Sequence, residues 1–373
     1  MVIKLLGFLN FLIPKRGSSI CFHSTPFFTG NSLAVYNKIA NKDTIWLVDS
    51  ESELEVARKL DVKAYYKKSI IGLYFYFRSK YIYSSHGLLL SLKSSRQTHI
   101  ELWHGSPLKK MGYMESGTKS DFNHFSNIDI LCASSILMKS LLSSCMRVHP
   151  KKIFITGQPR NEFLLDKTFD IKEKVSHYLS FPEGCERFFV YMPTFRAGAF
   201  NKSDGRIFNN SNPFNFSDFN MNVLNERLKA LNLGLVIKLH PYEESLLDSQ
   251  FFESDYIKLV KQDELYEHKI DFYEVLSYSD KLYTDYSSVY FDYLLLDKPI
   301  AFILTDLIDY KMNRGFLLEP LDFWLPGEKL YSFHEFLDSL AVLDVSAEQK
   351  IIKQMTNSSE LSDVIATIVK SDE

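Results

Sequence analysis

The amino-acid sequence predicts an α/β protein with two domains, each built around a parallel sheet. Three observations support this prediction. The chain has 373 residues, about twice the usual length of a single domain. Short apolar runs alternate with helical patterns along both halves, which is typical of parallel β-α-β units. Polar residues suited to catalysis or binding follow several of these apolar runs, where open α/β sheets bind their ligands.

In the first half, strands are predicted where apolar residues cluster between turn residues. A helix over residues 32–40 opens after Gly30 and Asn31, and an acidic helix is predicted over residues 51–60. The predicted strands cover residues 19–23, 44–48, 81–83, 99–103, 128–132 and 152–156.

The second half repeats this pattern, with strands predicted over residues 188–191, 235–239, 281–284 and 300–303. Residues 201–219 are rich in Asn, Ser, Asp and Phe and predict a long loop, while the weakly patterned residues 166–185 predict a linker. The resulting division is a first domain over 17–170, a second over 186–345 and a C-terminal helix over 346–373.

Composition narrows the function. Hydrophobic residues make up 46% of the chain and charged residues 24%, as in ordinary folded proteins. The net charge of −3 and the lack of a basic run argue against a nucleic-acid-binding protein. The four cysteines form no C-x-x-C pair and the histidines are scattered, so we predict no metal site, no disulfide framework and a reducing compartment.

The first sixteen residues, MVIKLLGFLNFLIPKR, form a segment with two interpretations. Their apolar run is too short to cross a bilayer, and Pro14, Lys15 and Arg16 stand where a signal peptide would have small residues. The segment is therefore either a first buried element or a membrane-interface segment whose basic residues lie near lipid headgroups. Without export, we expect a cytoplasmic protein at the inner face of the cell membrane.

The segment HIELWHGSPLKKMGY, residues 99–113, is the first that can carry chemistry. His104 follows a predicted strand and can act as a general base, because the pKa of histidine lies near neutrality. Gly105 and Ser106 allow a tight turn, and Lys109 and Lys110 add positive charge. The alternative is a hydrogen-bonded structural histidine beside solvated lysines.

Two further segments end predicted strands with a cationic or histidine side chain. In VYMPTFRAG, residues 190–198, Arg196 can offer a planar fork of donors to a phosphate, although a lone surface arginine is the simpler interpretation. In VIKLHPYEE, residues 236–244, His240 precedes Pro241 and can contact a ligand, with a structural histidine as the alternative.

The segment KLYTDYSSVYFDYLLLDKPI, residues 281–300, predicts an anion site. A strand ends at Thr284 and a helix begins near Ser287 and Ser288, so hydroxyls and exposed amides together suit a pyrophosphate. Helix capping by Asp285 or Ser287 is the alternative. Downstream, Arg314 adds another phosphate partner in a predicted loop.

Taken together and in this order, these segments resemble the CDP-glycerol glycerophosphotransferase family. The family includes the poly(glycerol phosphate) and poly(ribitol phosphate) polymerases and primases of wall teichoic acid synthesis. The resemblance covers about residues 19–340 and rests on WHGSPLKKMG, TGQPRNEFLL, YMPTFR, IKLHP and YTDYSSVYFDYLLLDKPI. Ser106 departs from the family pattern, since the polymerases commonly have Thr there.

The resemblance implies a GT-B-like fold, with two Rossmann-like domains facing each other across a cleft and the CDP donor in the C-terminal domain. It implies attack of an acceptor hydroxyl on the β-phosphorus and release of CMP, without a metal or cofactor. The implied catalytic residues are His104, His240 and Asp285. The implied donor-phosphate residues are Thr284, Ser287, Ser288, Arg196 and Arg314, and the acceptor-side residues are Gly105, Ser106, Lys109 and Lys110.

Several alternatives stay open on the sequence. The donor can be CDP-glycerol or CDP-ribitol, and a GT-B glycosyltransferase that uses a nucleotide-sugar would keep the same fold. A non-catalytic scaffold for glycan assembly is a different class of function. The acceptor can be a lipid-linked or polymeric glycan of the teichoic-acid, capsule or O-antigen type.

Overall fold

A computed structural model describes residues 2–89, 92–115, 125–195, 211–247, 252 and 254–357. These residues form two compact units, each with its own sheet. The first unit comprises Met1–Ser106, Gly112–Glu162 and Thr356–Glu373, and the second comprises Pro107–Met111 and Phe163–Met355. A five-residue segment directly after Ser106 therefore belongs to the second unit although the first unit surrounds it in sequence.

The first unit contains a parallel sheet of seven strands in the order β3-β2-β1-β4-β5-β6-β7. The strands are β1 (Arg16–His23), β2 (Thr44–Val48), β3 (Ala64–Tyr66), β4 (Ser79–Ser84), β5 (Thr98–Glu101), β6 (Ile130–Ala133) and β7 (Ile153–Ile155). The helices from the N-terminus to the end of this sheet are α1 (Val2–Leu12), α2 (Gly30–Ile39), α3 (Glu51–Lys59), α4 (Ile70–Arg78) and α5 (Ile136–Met146). α6 (Asn161–Leu165) begins in the first unit and ends in the second.

The second unit contains a parallel sheet of six strands in the order β10-β9-β8-β11-β12-β13. The strands are β8 (Arg187–Tyr191), β9 (Leu233–Ile237), β10 (Ile257–Leu259), β11 (Lys281–Thr284), β12 (Ile300–Ile303) and β13 (Glu328–Leu330). The helices are α7 (Phe169–Leu179), α8 (Met221–Ala230), α9 (Pro241–Glu244), α10 (Gln262–His268), α11 (Phe272–Tyr278), α12 (Val289–Tyr293), α13 (Leu307–Asn313), α14 (Leu321–Trp324), α15 (Phe333–Ser339) and α16 (Ala347–Thr356).

The chain contains 30 Phe and 21 Tyr residues, and aromatic side chains fill much of both cores. In the first unit, Phe22 stacks on Trp46 and on Tyr83, with ring centroids 5.1 Å and 5.0 Å apart. In the second unit, Phe214 and Tyr283 each lie against Phe336, at 5.2 Å and 4.9 Å. Such pairs stabilise a core beyond the area they bury.

The predicted α/β class and the strands of both sheet centres are confirmed. Three predicted strands, over 44–48, 281–284 and 300–303, coincide with β2, β11 and β12. The strand predicted over 235–239 lies two residues earlier, as β9. The short strands β3, β10 and β13 were not predicted, because they lie at sheet edges and are only partly buried, so they form no apolar run.

The linker predicted over residues 166–185 is wrong. This stretch contains α7, whose Val175, Tyr178 and Leu179 are buried, and the chain passes into the second unit already after Glu162. In the predicted loop over 201–219, residues 211–219 contain only turns, and residues 201–210 lie outside the described residues. Of the helix predicted over 346–373, α16 covers the first part, and residues 358–373 also lie outside them.

A buried carboxylate at the end of β5 joins two loops of the first unit. Glu101 is fully buried and accepts hydrogen bonds from the backbone N–H groups of Gly87 (2.9 Å) and Trp103 (3.2 Å). It also accepts one from the Ser84 hydroxyl (2.6 Å), which in turn contacts Nε2 of His99 (2.6 Å). Burial raises the pKa of Glu101 to about 7, and its hydrogen bonds limit this rise.

The fit of Gly72 in α4 predicts the effect of one substitution. A Cβ at Gly72 would lie 2.2 Å from the backbone oxygen of Tyr66. Although Ala is favoured over Gly in a helix by about 1 kcal/mol, this overlap should make Gly72→Ala less stable by about 1–3 kcal/mol in urea unfolding. The control is Gly7→Ala in α1, where a Cβ meets nothing within 4 Å. Equal effects of the two substitutions would contradict the prediction.

The raised pKa of Glu101 predicts a pH-dependent stability. Its pKa rises from 4.5 to about 7 on folding, so the folded chain holds this proton more tightly than the unfolded chain. The resulting stabilisation is complete below about pH 4.5 and is lost as the pH rises through about 7. The free energy of unfolding of the wild type, relative to Glu101→Gln, should therefore fall by about 3 kcal/mol across this range. Urea unfolding at several pH values measures it, and a flat difference would contradict it.

Candidate functional site

Polar side chains gather at the carboxyl edge of each sheet. Parallel strands bring their carboxyl ends to one edge, where loops are free to carry functional groups. In the first unit these loops follow β4 and β5, and in the second they follow β8, β9 and β11. Each unit has its own cluster.

His104 is the central residue of the first unit's cluster. It lies three residues after β5, beyond Trp103, whose positive φ of 58° turns the chain. The imidazole is exposed, and its Nδ1 lies 2.9 Å from the carbonyl oxygen of Ser85. A carbonyl only accepts, so Nδ1 carries the hydrogen and a neutral ring has its lone pair on Nε2. This tautomer is the one that a general base requires.

The backbone around His104 is held by three residues that the sequence interpretation did not single out. The Asn31 amide donates to the carbonyl oxygen of Trp103 (2.9 Å) and to Gln158 Oε1 (2.7 Å). The Arg160 guanidinium donates to the carbonyl oxygen of His104 (2.9 Å), and its backbone N–H donates to Asn31 Oδ1 (3.0 Å). The signal was present, because Gln158 and Arg160 belong to the TGQPRNEFLL motif.

A second histidine, His86, also went unrecognised in the sequence. It is exposed, lies two residues after β4, and stacks on His104 with ring centroids 3.9 Å apart and ring planes 2° from parallel. Eighteen positions separate the two histidines in the chain, so only the pairing of β4 with β5 brings them together.

Gly105 and Ser106, predicted on the acceptor side, are buried in the first unit. The Ser106 hydroxyl lies 3.1 Å from that of Ser134, which donates to the carbonyl oxygen of Thr356 (2.6 Å). The φ of Gly105 is 152°, a conformation that favours glycine. These contacts describe a structural support for the turn that follows His104.

Lys109 and Lys110, predicted with His104, lie in the second unit. Lys109 bridges to Phe316, and the backbone N–H of Lys110 donates to the carbonyl oxygen of Gly315 (3.1 Å). The Lys110 side chain passes close to Gly315, since a Cβ there would lie 3.3 Å from its Nζ. The sequence grouped these lysines by adjacency, whereas the backbone pairing groups them with the loop that contains Arg314.

Asp285 organises the second unit's cluster. It is buried, and its Oδ1 accepts from the backbone N–H groups of Thr194 (2.8 Å) and Ser287 (3.0 Å), which joins the loops after β8 and β11. The Thr284 hydroxyl donates to the carbonyl oxygen of Met192 (2.7 Å). Both side chains therefore support the loop after β11 from the inside.

Ser287 and Ser288 are half-buried at the start of α12. Ser288 is the N-terminal cap residue, but its side chain makes no capping hydrogen bond. α12 has five residues, so its dipole is small, and hydroxyls and amides would contribute most to binding an anion here.

Aromatic stacking places this loop beside Arg314. The Tyr286 ring stacks on Tyr310 with centroids 4.4 Å apart and meets Phe316 at 5.4 Å. Arg314 follows α13, and its backbone N–H donates to the carbonyl oxygen of Tyr310 (2.8 Å). The loop after β11, Arg314 and Lys110 therefore belong to one region of the second unit.

His240 is a neutral imidazole at the edge of the same sheet. It lies three residues after β9, is half-buried, and contacts the Phe195 ring at 4.5 Å. Burial, followed by the positive charges of Lys238 and Lys109, lowers its pKa to about 4. At neutral pH it therefore offers one N–H donor and one acceptor. Arg196, the remaining predicted phosphate residue, lies outside the described residues.

Within the described residues, no group of three or more His, Cys, Asp and Glu side chains could hold a metal ion.

The comparisons with known proteins agree with this chemistry. A model of the CDP-Glycerol:Poly(glycerophosphate) glycerophosphotransferase family matches residues 5–363. The chain is 25% identical over 357 residues to the teichoic acid ribitol-phosphate polymerase TarL of Staphylococcus aureus, covering 90% of this chain and 59% of that protein. It is 29% identical over 273 residues to a teichoic acid glycerol-phosphate transferase of the same species, covering 69% and 65%.

A solved structure of similar fold is that of a wall teichoic acid polymerase, TagF, in a variant soaked with CDPG. It has a TM-score of 0.79 and 21% identity, and covers 99% of this chain and 93% of that one. The fold is thus α/β and GT-B-like. This chain spans about three-fifths to two-thirds of the length of the first curated relatives that it matches. The chain belongs to the CDP-glycerol:poly(glycerophosphate) glycerophosphotransferase family.

Proposed function

We propose that this protein transfers glycerol phosphate from CDP-glycerol to a hydroxyl of a glycan acceptor and releases CMP. The observation that carries the proposal is that the loop of Ser287 and Ser288 lies in the same region of the second unit as Lys110 and the segment of Arg314. A phosphotransferase must bind the group that it transfers as well as the nucleotide, and these cationic and hydroxyl donors suit a pyrophosphate.

The proposed reaction is an in-line displacement at the β-phosphorus. The acceptor oxygen forms a bond to this phosphorus while the bond from phosphorus to the CMP oxygen breaks. The acceptor proton passes to Nε2 of His104, and water later removes it from the imidazolium. Lys110, Arg314 and the neutral His240 stabilise the charge that develops on CMP and on the transferred group.

The support residues have distinct proposed roles. Asp285 and Thr284 hold the loop after β11, because Oδ1 of Asp285 and the hydroxyl of Thr284 are bonded to backbone groups of the loops after β8 and β11. We place Lys109 and Lys110 at the donor and not at the acceptor, since both lie in the second unit.

CDP-ribitol is the second candidate donor. One of the relatives is a ribitol-phosphate polymerase and another a glycerol-phosphate transferase, so the family includes both polyols. The acceptor that we propose is a lipid-linked or polymeric glycan of teichoic-acid, capsule or O-antigen type.

We also propose that α1 and α4 attach the protein to a membrane surface. α1 turns a polar residue inward, because Asn10 is fully buried and donates to Gln97 Oε1 (2.9 Å). Leu6 and Ile13 pack against the core on the same side. From Leu5 to Leu12, the part of α1 whose side chains the structure describes, the exposed side chains are all apolar, namely Leu5, Phe8, Leu9, Phe11 and Leu12. A helix that faces water normally has the reverse arrangement.

α4 packs beside α1 and extends this apolar surface. Ile70 is 87% exposed, and Ile71 and Tyr74 are exposed beside it. The guanidinium of Arg96 lies over the Phe11 ring at 4.7 Å, and Lys68 is exposed two residues before α4. Apolar side chains bordered by cations suit the interface of an anionic bilayer.

No helix among the described residues has the length and apolar character needed to cross a bilayer. The four cysteines are free, which fits a reducing compartment. We propose a cytoplasmic position at the inner face of the cell membrane.

The first prediction from this proposal concerns the donor and the base. Purified protein with membrane-derived acceptor should release CMP from CDP-glycerol, with or without EDTA, because side chains supply the charge stabilisation. His104→Ala should lose about a hundredfold or more in kcat, the usual contribution of a general base. His334→Ala, whose side chain is 82% exposed, is the matched control.

Parallel assays with CDP-ribitol and a UDP-sugar separate the alternatives. CMP release from CDP-ribitol alone would change the donor, and UDP release alone would indicate a glycosyltransferase. A pathway that keeps its activity with His104→Ala would indicate a scaffold.

The second prediction concerns the membrane surface. The full-length protein should co-sediment with vesicles that contain phosphatidylglycerol, and Phe8→Glu or Ile70→Glu should each reduce the bound fraction several-fold. A glutamate at either position loses the apolar contact with the bilayer, and its negative charge is repelled by anionic lipid. Ile136→Glu is the control, because Ile136 is 74% exposed but lies on α5. Equal loss with all three variants, or none with the first two, would contradict the proposal.

A further inference from the structure

We propose that His86 is a positioning residue that holds the imidazole of His104 in its catalytic orientation. The inference rests on the proposed phosphotransferase function, in which His104 is the base. His86 lies outside the motifs that carry the family resemblance.

The stacked geometry is the first support. The ring centroids are 3.9 Å apart and the planes are 2° from parallel, so the two imidazoles overlap face to face. Both side chains are exposed at the carboxyl edge of the first sheet. An exposed imidazole rotates about its Cβ–Cγ bond, and freezing it costs conformational entropy. A second ring on its face reduces the freedom that remains.

Ser85 links the two rings. Its carbonyl oxygen accepts from Nδ1 of His104 (2.9 Å), and its hydroxyl lies 2.9 Å from Nδ1 of His86. The backbone N–H of Ser85 donates to the carbonyl oxygen of His23 in β1 (3.2 Å). One residue fixed to the sheet therefore contacts both imidazoles.

Glu101 fixes the loops that carry the rings. It accepts from Gly87, one residue after His86, and from Trp103, one residue before His104. Ser84 and Glu101 are register partners in β4 and β5. Buried hydrogen bonds thus fix the two loops that carry the stacked rings, so the stack is not a chance contact of two surface side chains.

The stack has a consequence for proton transfer. When His104 takes the acceptor proton it becomes a cation, and a neutral aromatic face attracts a cation. A ring held in plane also keeps Nε2 directed to one place, and small misplacements of a catalytic group cost large factors in rate. We therefore expect His86 to act on kcat more than on KM.

Three variants test the proposal. His86→Ala removes the ring, His86→Phe keeps an aromatic face without nitrogen atoms, and His334→Ala is a histidine control on the exposed surface of the second unit. For CMP release from CDP-glycerol, His86→Ala should lower kcat by roughly ten- to a hundredfold, with KM little changed. His86→Phe should recover most of this loss, and His334→Ala should match the wild type.

Two results would overturn the proposal. If His86→Ala retains full kcat, the ring has no positioning role. If His86→Phe is as impaired as His86→Ala while it melts at the wild-type temperature, a nitrogen of His86 acts directly and the ring face does not.

A measurement that needs no activity separates this inference from the proposed function. In NMR spectra of the ¹³C-histidine-labelled full-length protein, the His104 signals are identified by their loss in His104→Asn. His86→Ala should move them downfield, because the ring current of His86 is removed, and His86→Phe should not. Unmoved signals would exclude the stack. A wild type without CMP release would refute the proposed function while the stack stands.

Discussion

Parallel strand pairing is the constraint on which the rest of this structure depends. In both sheets, strands such as β2, β9 and β12 are buried along their whole length, and nearly all of their side chains are apolar and unavailable for chemistry. Polar groups are therefore displaced to the strand ends, and pairing in one direction collects those ends at one edge. The histidines, hydroxyls and cations of each unit gather there for this reason.

A buried carboxylate solves the same problem in each unit. Loops that follow parallel strands have backbone N–H groups without a sheet partner, and a buried N–H must be satisfied. Glu101 accepts from the loops after β4 and β5, and Asp285 accepts from those after β8 and β11. In both cases one side chain fixes two adjacent functional loops relative to each other.

The sequence predicted the strands at the sheet centres and one edge strand, β7, but it missed the other three edge strands for a physical reason. A strand such as β2, TIWLV, is buried throughout and forms a continuous apolar run. β3 is partly exposed at every position, so its sequence does not stand out from the neighbouring residues as an apolar run. α7 was missed because only three of its eleven residues are buried, too few to show a clear helical period in this stretch.

Some residues of the candidate site could be predicted from the sequence, and others could not. His104, His240, Asp285 and Ser287 could be predicted because each follows an apolar run directly or within three residues. His86 could not, since strand register and not sequence distance brings it to His104. Lys109 and Lys110 were grouped with His104 by adjacency, but the chain changes unit at Pro107. Contacts between segments that are distant in the chain cannot be predicted from a single sequence.

The backbone at Trp103 limits how this site can evolve. The φ of 58° at Trp103 costs about 1–3 kcal/mol of conformational strain for such a bulky residue. Burial of its indole, 8% exposed and packed edge-on against Phe125, offsets this cost. Glycine would adopt the turn without strain but would lose the packing, and a β-branched residue would fit neither demand. The turn that directs the neighbouring imidazole therefore restricts which residues can replace Trp103.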